Sequence, residues 1–169
     1  SIDVPGRFQR IDEGQNFEVI IDYAPEVESM KALHSVIKSM ECNKVIHVLG
    51  ACGGGRDAGK RPILGVMAAS VADTVIVTNE DPYDDDPQTI IEQVAQGALN
   101  TGKIEGINLF SIIDRSEAIA KAVNSAHEGD VVLITGKGAE QAMCIAGGKK
   151  VPWDDRKEVS KALLQRKNE

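Results

Sequence analysis

The sequence predicts an α/β fold, a mainly parallel sheet with helices on both faces. Three observations carry this. Short runs that are almost wholly apolar, such as Lys44–Leu49 (K-V-I-H-V-L) and Val131–Thr135 (V-V-L-I-T), read as strands buried on both sides. Amphipathic segments with helical spacing alternate with them along the chain. No linker, internal repeat or low-complexity tract interrupts the alternation, so the 169 residues form one domain, 1–169, with room for a real core.

In order, Phe17–Tyr23 is a strand by its apolar, β-branched content. Pro25 then opens a helix from Glu26 to Met40, with Val27, Met30, Leu33, Val36, Ile37 and Met40 on one face. Strand Lys44–Leu49 leads into a glycine-rich turn, Gly50–Pro62, and a helix over Ile63–Ala72. Asp73–Thr78 is another buried strand, followed by the acidic loop Asn79–Asp86. Asp86-Pro87 suits a helix start, Asp as cap and Pro as first residue, and that helix runs to about Leu99. A short strand lies within Ile107–Ile113 and a helix covers Arg115–Ala126, with Ile119, Ala122 and Val123 inward. After strand Val131–Thr135, Gly147-Gly148 mark a hairpin within Met143–Val151, and a last helix runs from Asp154 to Gln165. Parallel connections of this kind are right-handed, and ligands lie beyond the carboxyl ends of the strands. Four loops leave those ends: Asp22–Pro25, Gly50–Pro62, Asn79–Asp86 and Gly136–Glu140.

Composition narrows the function. A net charge of −7 and a pI near 5.0 argue against a nucleic-acid or membrane-surface binder. No run reaches the length of a membrane span, and no signal peptide stands at the N-terminus. Cys42, Cys52 and Cys144 have no metal spacing and read as reduced thiols of a cytoplasmic protein. The chain begins Ser-Ile-Asp-Val-Pro rather than with Met, which fits a processed start or a segment of a longer protein.

The glycine turn carries the clearest chemical signal. Bare backbone N–H groups and a helix N-terminus suit an anion, and Arg56, Lys60 and Arg61 make the spot basic in an acidic protein. Gly54–Lys60 fits G-x-x-x-x-G-K, but Arg61 follows where a P-loop needs Ser or Thr to hold magnesium. A carboxylate- or phosphate-binding loop is the better reading, with Arg56 as a bidentate fork; a solvated turn is the bland one. Glu80–Asp86 (E-D-P-Y-D-D-D) lacks the Gly of a calcium loop, leaving a solvated helix cap or a seat for a substrate ammonium. Asp22 at a strand end suits a ribose hydroxyl or a helix cap. Gly136-Lys137-Gly138 brings backbone close to a ligand and Glu140 suits an amine; the alternative is a turn with a solvated Lys and Glu.

Together these stretches resemble the C-terminal domain of the Mur ligases, within that family the tripeptide synthetases. The matching motifs are Val4-Pro5-Gly6-Arg7, Asp22-Tyr23-Ala24, the run Gly53 to Pro62, Val77-Thr78 with Glu80 to Tyr83, Gly129 to Glu140, and Gly148 to Glu158. They are collinear over nearly the whole chain. The resemblance implies a Rossmann-like three-layer sandwich. It implies a part in ATP-dependent amide formation in peptidoglycan synthesis, where a UDP-muramoyl peptide carboxylate becomes an acyl phosphate and an amino acid attacks it. The P-loop, the magnesium ligands and the UDP-binding domain of the family lie outside this chain, so it is catalytically silent alone. By position Arg7 and Asp22 touch the nucleotide, and Arg56 binds the amino acid's carboxylate. Glu80, Asp81, Pro82, Tyr83, Gly136 and Glu140 line the amino-acid pocket, with Lys60, Arg61 and Lys137 as weaker candidates. Pro25 and Ala139 stand where the family has His, and Tyr83 where members adding diaminopimelate have Arg. A side-chain amine such as that of lysine or ornithine suits Tyr83 better. A stand-alone binding module is the second reading. A folylpolyglutamate or cyanophycin synthetase is the third, against which Gly59–Pro62 and the acidic loop argue.

Overall fold

The computed structural model describes residues 4–169. Eight strands and five helices follow in the order β1 (Gln9–Arg10), β2 (Glu18–Asp22), α1 (Val27–Ser39), β3 (Val45–Leu49), α2 (Lys60–Val71), β4 (Thr74–Thr78) and α3 (Pro87–Asn100). Then come β5 (Leu109–Ile112), α4 (Arg115–Ser125), β6 (Val131–Thr135), β7 (Ala142–Ile145), β8 (Lys149–Pro152) and α5 (Asp155–Lys167). Six strands form one sheet in the order β1-β2-β6-β3-β4-β5, parallel throughout except for β1. The expected α/β sandwich is what the chain adopts. β7 and β8 form the expected hairpin apart from the sheet.

Alternation along the buried strands splits the core in two. Ile20, Val45, Leu49, Val75, Val77, Val131 and Leu133 face α1, α2 and α3. Val19, Ile21, Ile46, Val48, Ile76, Val132 and Ile134 face α4 and α5. Helices α2 and α3 touch backbone to backbone: a Cβ on Gly65 would meet the Val94 carbonyl oxygen at 1.9 Å, and one on Gly97 the Pro62 oxygen at 1.9 Å.

Three details differ from the sequence reading. Helix α2 begins at Lys60, not Ile63, because Pro62 sits in its first turn, where the N–H it lacks would have no helical partner. Lys60 and Arg61 are therefore helical residues rather than loop residues. Val36 is 46% exposed, while His34 is turned inward beside Met30, Leu33 and Ile37. And Asp22 is not the cap of α1; Glu26 is, its backbone N–H bonded to the Ser29 hydroxyl at 3.2 Å.

His34 meets His47 of β3 edge to face, with ring centroids 5.4 Å apart, and His47 Nε2 lies 2.9 Å from the Thr135 hydroxyl. Burial, then Lys38, pulls His34 down to about 4, and burial holds His47 well below the ordinary range. Below about pH 6.5 the unfolded chain takes protons that the native pair refuses, so stability falls as pH drops from there toward 4. Thermal melts from pH 7 to 4.5 should show a falling Tm, with a shallower fall in His34→Gln. Parallel curves for the two proteins would remove His34 from the acid response.

Candidate functional site

The four loops named from the sequence converge at the carboxyl ends of β2, β6, β3 and β4, which are consecutive neighbours in the sheet. The glycine loop after β3 lies against the acidic loop after β4. Gly53 N–H donates to the Asp81 carbonyl at 2.8 Å, and a Cβ on Gly53 would come within 2.1 Å of the Pro82 oxygen, so only glycine lets the two backbones close. The Tyr83 ring rests on Gly54. Gly136, at φ +111, makes the same approach from β6: its Cβ would collide with the Glu80 carboxylate at 2.3 Å.

The acidic loop divides: Asp84, Asp85 and Asp86 are exposed and Asp86 caps α3, as the solvated-cap reading expects, while Glu80 and Asp81 turn inward. Glu80 is 4% exposed and accepts a bond from the Cys52 thiol at 3.2 Å. Burial pushes its pKa up, with Arg115 partly opposing. Burial and Glu80 together push the Cys52 thiol far above its usual range, which keeps it a hydrogen-bond donor. Asp81 takes both Lys137 Nζ contacts, at 2.8 and 3.0 Å, and the Cys144 N–H at 2.8 Å. Lys137 Nζ also reaches Glu140 at 2.9 Å. The Lys137 side chain is fully buried rather than solvated. Burial favours its neutral amine, but the bonds to Asp81 and Glu140 outweigh that and raise its pKa. Cys52, Glu80 and Asp81 bring metal-type donors within 4.8 Å of one another. A protonated thiol and a carboxylate already holding an ammonium do not fit a metal ion.

The basic residues separate by role. Lys60 bridges to Glu26 at 2.7 Å. Arg61, 6% exposed, is tied to Gln93, the Cys52 carbonyl and Asp85. Arg56 is exposed on the wall of a cavity of about 160 Å³ shared with Tyr23, Pro25, Cys52 and Lys60. Among the described residues it makes no ion pair, so its guanidinium is available to an anion. Tyr23, which also lines that cavity, carries Arg7 over its ring, 5.0 Å from the centroid, and Asp22 accepts the Phe8 N–H at 2.7 Å. Burial and then Glu140 raise the Tyr23 hydroxyl pKa. Pro82 is buried, and Tyr83, at φ +52, donates its N–H to the Cys144 carbonyl at 3.0 Å. Every sequence-predicted residue thus lies at this edge.

Residues 6–138 match the family described as Mur ligase, glutamate ligase domain. The chain belongs to the Mur ligase family. Among its Mur relatives, the UDP-N-acetylmuramoyl-L-alanyl-D-glutamate–2,6-diaminopimelate ligase of Streptomyces coelicolor is 39% identical over 160 residues, covering 95% of this chain and 31% of the relative. The UDP-N-acetylmuramyl-tripeptide synthetase of Roseiflexus sp. is 41% identical over 162 residues, covering 96% and 31%. A solved diaminopimelate ligase of this type superposes with TM-score 0.84 at 33% identity, over 99% of this chain and 33% of that one. A Mur ligase of Thermotoga maritima, solved with ADP, is 19% identical with TM-score 0.60 and shows the fold alone. The chain spans about a third of the length of the curated relatives it matches.

Residues of this Mur domain that the sequence reading passed over are Cys52, Cys144, Arg115 and Asp155. Cys52 sits inside the glycine motif, a signal that its neighbours' charges masked. The others reach the site only through long-range packing.

Proposed function

We propose that this chain is the amino-acid-binding domain, residues 1–169, of an ATP-dependent amide ligase. The intact enzyme adds the third residue, a diamino acid, to UDP-N-acetylmuramoyl-dipeptide in the cytoplasm, with the magnesium and UDP sites on other domains. One observation carries the reading: a free arginine stands on the wall of a cavity at the strand ends, and the loop that carries Glu80 and Asp81 packs against the arginine's own glycine loop. Arg56 suits an α-carboxylate, and Glu140, which is partly exposed although it shares Lys137 with Asp81, offers a carboxylate to an amine. The names of the relatives, diaminopimelate ligase and tripeptide synthetase, support the same substrate class.

ATP supplies the phosphoryl group that activates the peptide carboxylate. Arg7 and Asp22 would hold the nucleotide's edge, since Arg7 stacks on Tyr23, a residue of the cavity wall, and Asp22 precedes Tyr23 in the chain. The glycine loop does not fit magnesium: Arg61 takes the place of the hydroxyl ligand and is turned away into bonds with Gln93 and Asp85. This domain's own work is positional. Arg56 fixes the incoming amino acid so that its amine meets the activated carbonyl, where the new C–N bond forms and phosphate leaves.

Specificity follows from Tyr83. Asp84 and Asp85 follow it in the chain and are exposed, so a distal carboxylate finds like charge there. The preferred substrate has a lone side-chain amine, as lysine and ornithine do. In the intact enzyme, assayed with the dipeptide substrate, ATP and a panel of amino acids, wild type should use these over diaminopimelate. Tyr83→Arg should shift relative kcat/KM toward diaminopimelate by about tenfold or more, the worth of one charge-assisted pair. An unshifted ratio would place specificity elsewhere, and turnover of no diamino acid at all would end the ligase reading.

A further inference from the structure

We infer that Arg115 is a positioning residue for the amino-acid pocket, holding at fixed spacing the two loops that carry Glu80 and the Gly136–Glu140 segment from behind the sheet. The inference rests on the reading of the pocket given above.

Arg115 is the first residue of α4, on the face away from the glycine-loop helix, and its side chain is completely buried. Its donors are spent on three elements. Nε and Nη2 grip Asp155 of α5 in a bidentate pair, both at 2.9 Å. Nη1 donates to the Asn79 carbonyl at 3.1 Å, and Nη2 also donates to the Thr135 carbonyl at 3.0 Å. Thr135 ends β6, and Asn79 follows the last residue of β4; these two strands flank β3 and do not touch each other. The guanidinium therefore spans the end of the central strand and fastens its two neighbours at one point. The next residues along the chain are Gly136 and Glu80, which are in van der Waals contact across the site. A shift of either carbonyl moves one side of that contact.

The geometry needs arginine. A planar fork serves a carboxylate along one edge and carbonyls along the other, whereas an ammonium directs three donors from one point. Asp155 is itself oriented, accepting the Trp153 indole N–H at 2.8 Å. Arg115 is also the foremost charge opposing the burial of Glu80. Trp153 and Asp155 lie beyond residue 138, where the family match ends, and the Arg115 side chain joins that last segment to the pocket loops.

Two measurements test this. Hydrogen exchange of this chain reads the loops directly through the Gly53 and Gly136 amides, both bonded across loops. In Arg115→Lys these amides should exchange at least tenfold faster while those of β3 change far less; uniform acceleration of the whole sheet would show a purely structural role and overturn the inference. In the intact ligase, Arg115→Lys should raise the amino-acid KM at least tenfold while the ATP KM stays within twofold. Equal changes in both, or none, would overturn it as well. Should Arg115→Lys fail to fold, Trp153→Phe keeps an aromatic ring and removes the indole N–H that Asp155 accepts, and a few-fold rise in the same KM is expected; an unchanged KM with unchanged loop exchange overturns the inference. A wild-type enzyme that ligates no amino acid would defeat the functional reading, and the exchange experiment would still decide Arg115.

Discussion

Replacing Arg56 by alanine in the intact enzyme should raise the amino-acid KM by about 2–4 kcal/mol, roughly 30- to 1,000-fold, with little change in the KM for ATP. The expectation follows from what the neighbouring cations are doing. Lys60 is engaged by Glu26 and Arg61 is held in the core, so neither is free to replace the lost guanidinium. Arg56 is exposed at the cavity wall, so its removal should leave the fold intact and the effect should appear in binding. Steady-state kinetics with the amino acid as varied substrate decides the matter. An unchanged KM would mean that the α-carboxylate is held by backbone N–H groups of the glycine loop instead.

Lys137→Met should destabilise the domain by about 3–5 kcal/mol, because it leaves Asp81 and Glu140 facing each other with no cation between them. Asp81 is 7% exposed and cannot recover its hydration. Urea denaturation at neutral pH measures the loss. A loss below about 1 kcal/mol would show that the pair contributes no more than a surface bridge. The same variant should bind the amino acid poorly even where folded, since Asp81 and Glu140 would repel each other out of place.

Most of the fold was legible because its signals are local. Val131–Thr135 and Val45–Leu49 are apolar at almost every position, which only a strand covered on both faces requires. Asp86-Pro87 announced α3 by cap chemistry alone, and the structure keeps both in those roles. What escaped was either too short or too distant. β1 has two residues, below any periodicity, and exists only because β2 offers an edge. The start of α2 was misplaced because Pro62 reads as the end of a loop, although proline is at home in a first helical turn. The convergence of four loops followed from strand direction, but the pairings inside them did not. Lys137 looks solvated in sequence; it is buried because Asp81, far away along the chain, turns inward to meet it. Arg115 looks like an ordinary helix start, and nothing local reveals that Asp155 will face it.

The pairing of β2 with β6 has a consequence for how the site comes into being. Strands β3, β4 and β5 are joined in sequence to their neighbours by single helices, so that half of the sheet assembles through short loop closures. β2 finds its place only when Glu18 meets Val131 and Asp22 meets Thr135, contacts that join opposite ends of the chain at a far larger entropic cost. Arg7, Asp22 and Tyr23 arrive with β2, while Lys137 and Glu140 arrive with β6. The cleft therefore straddles a seam in the sheet that closes by contacts far apart in sequence. A partly assembled chain can own a sound α2–α3 core and still have no pocket, and a bound amino acid reports on the completed sheet rather than on any part of it.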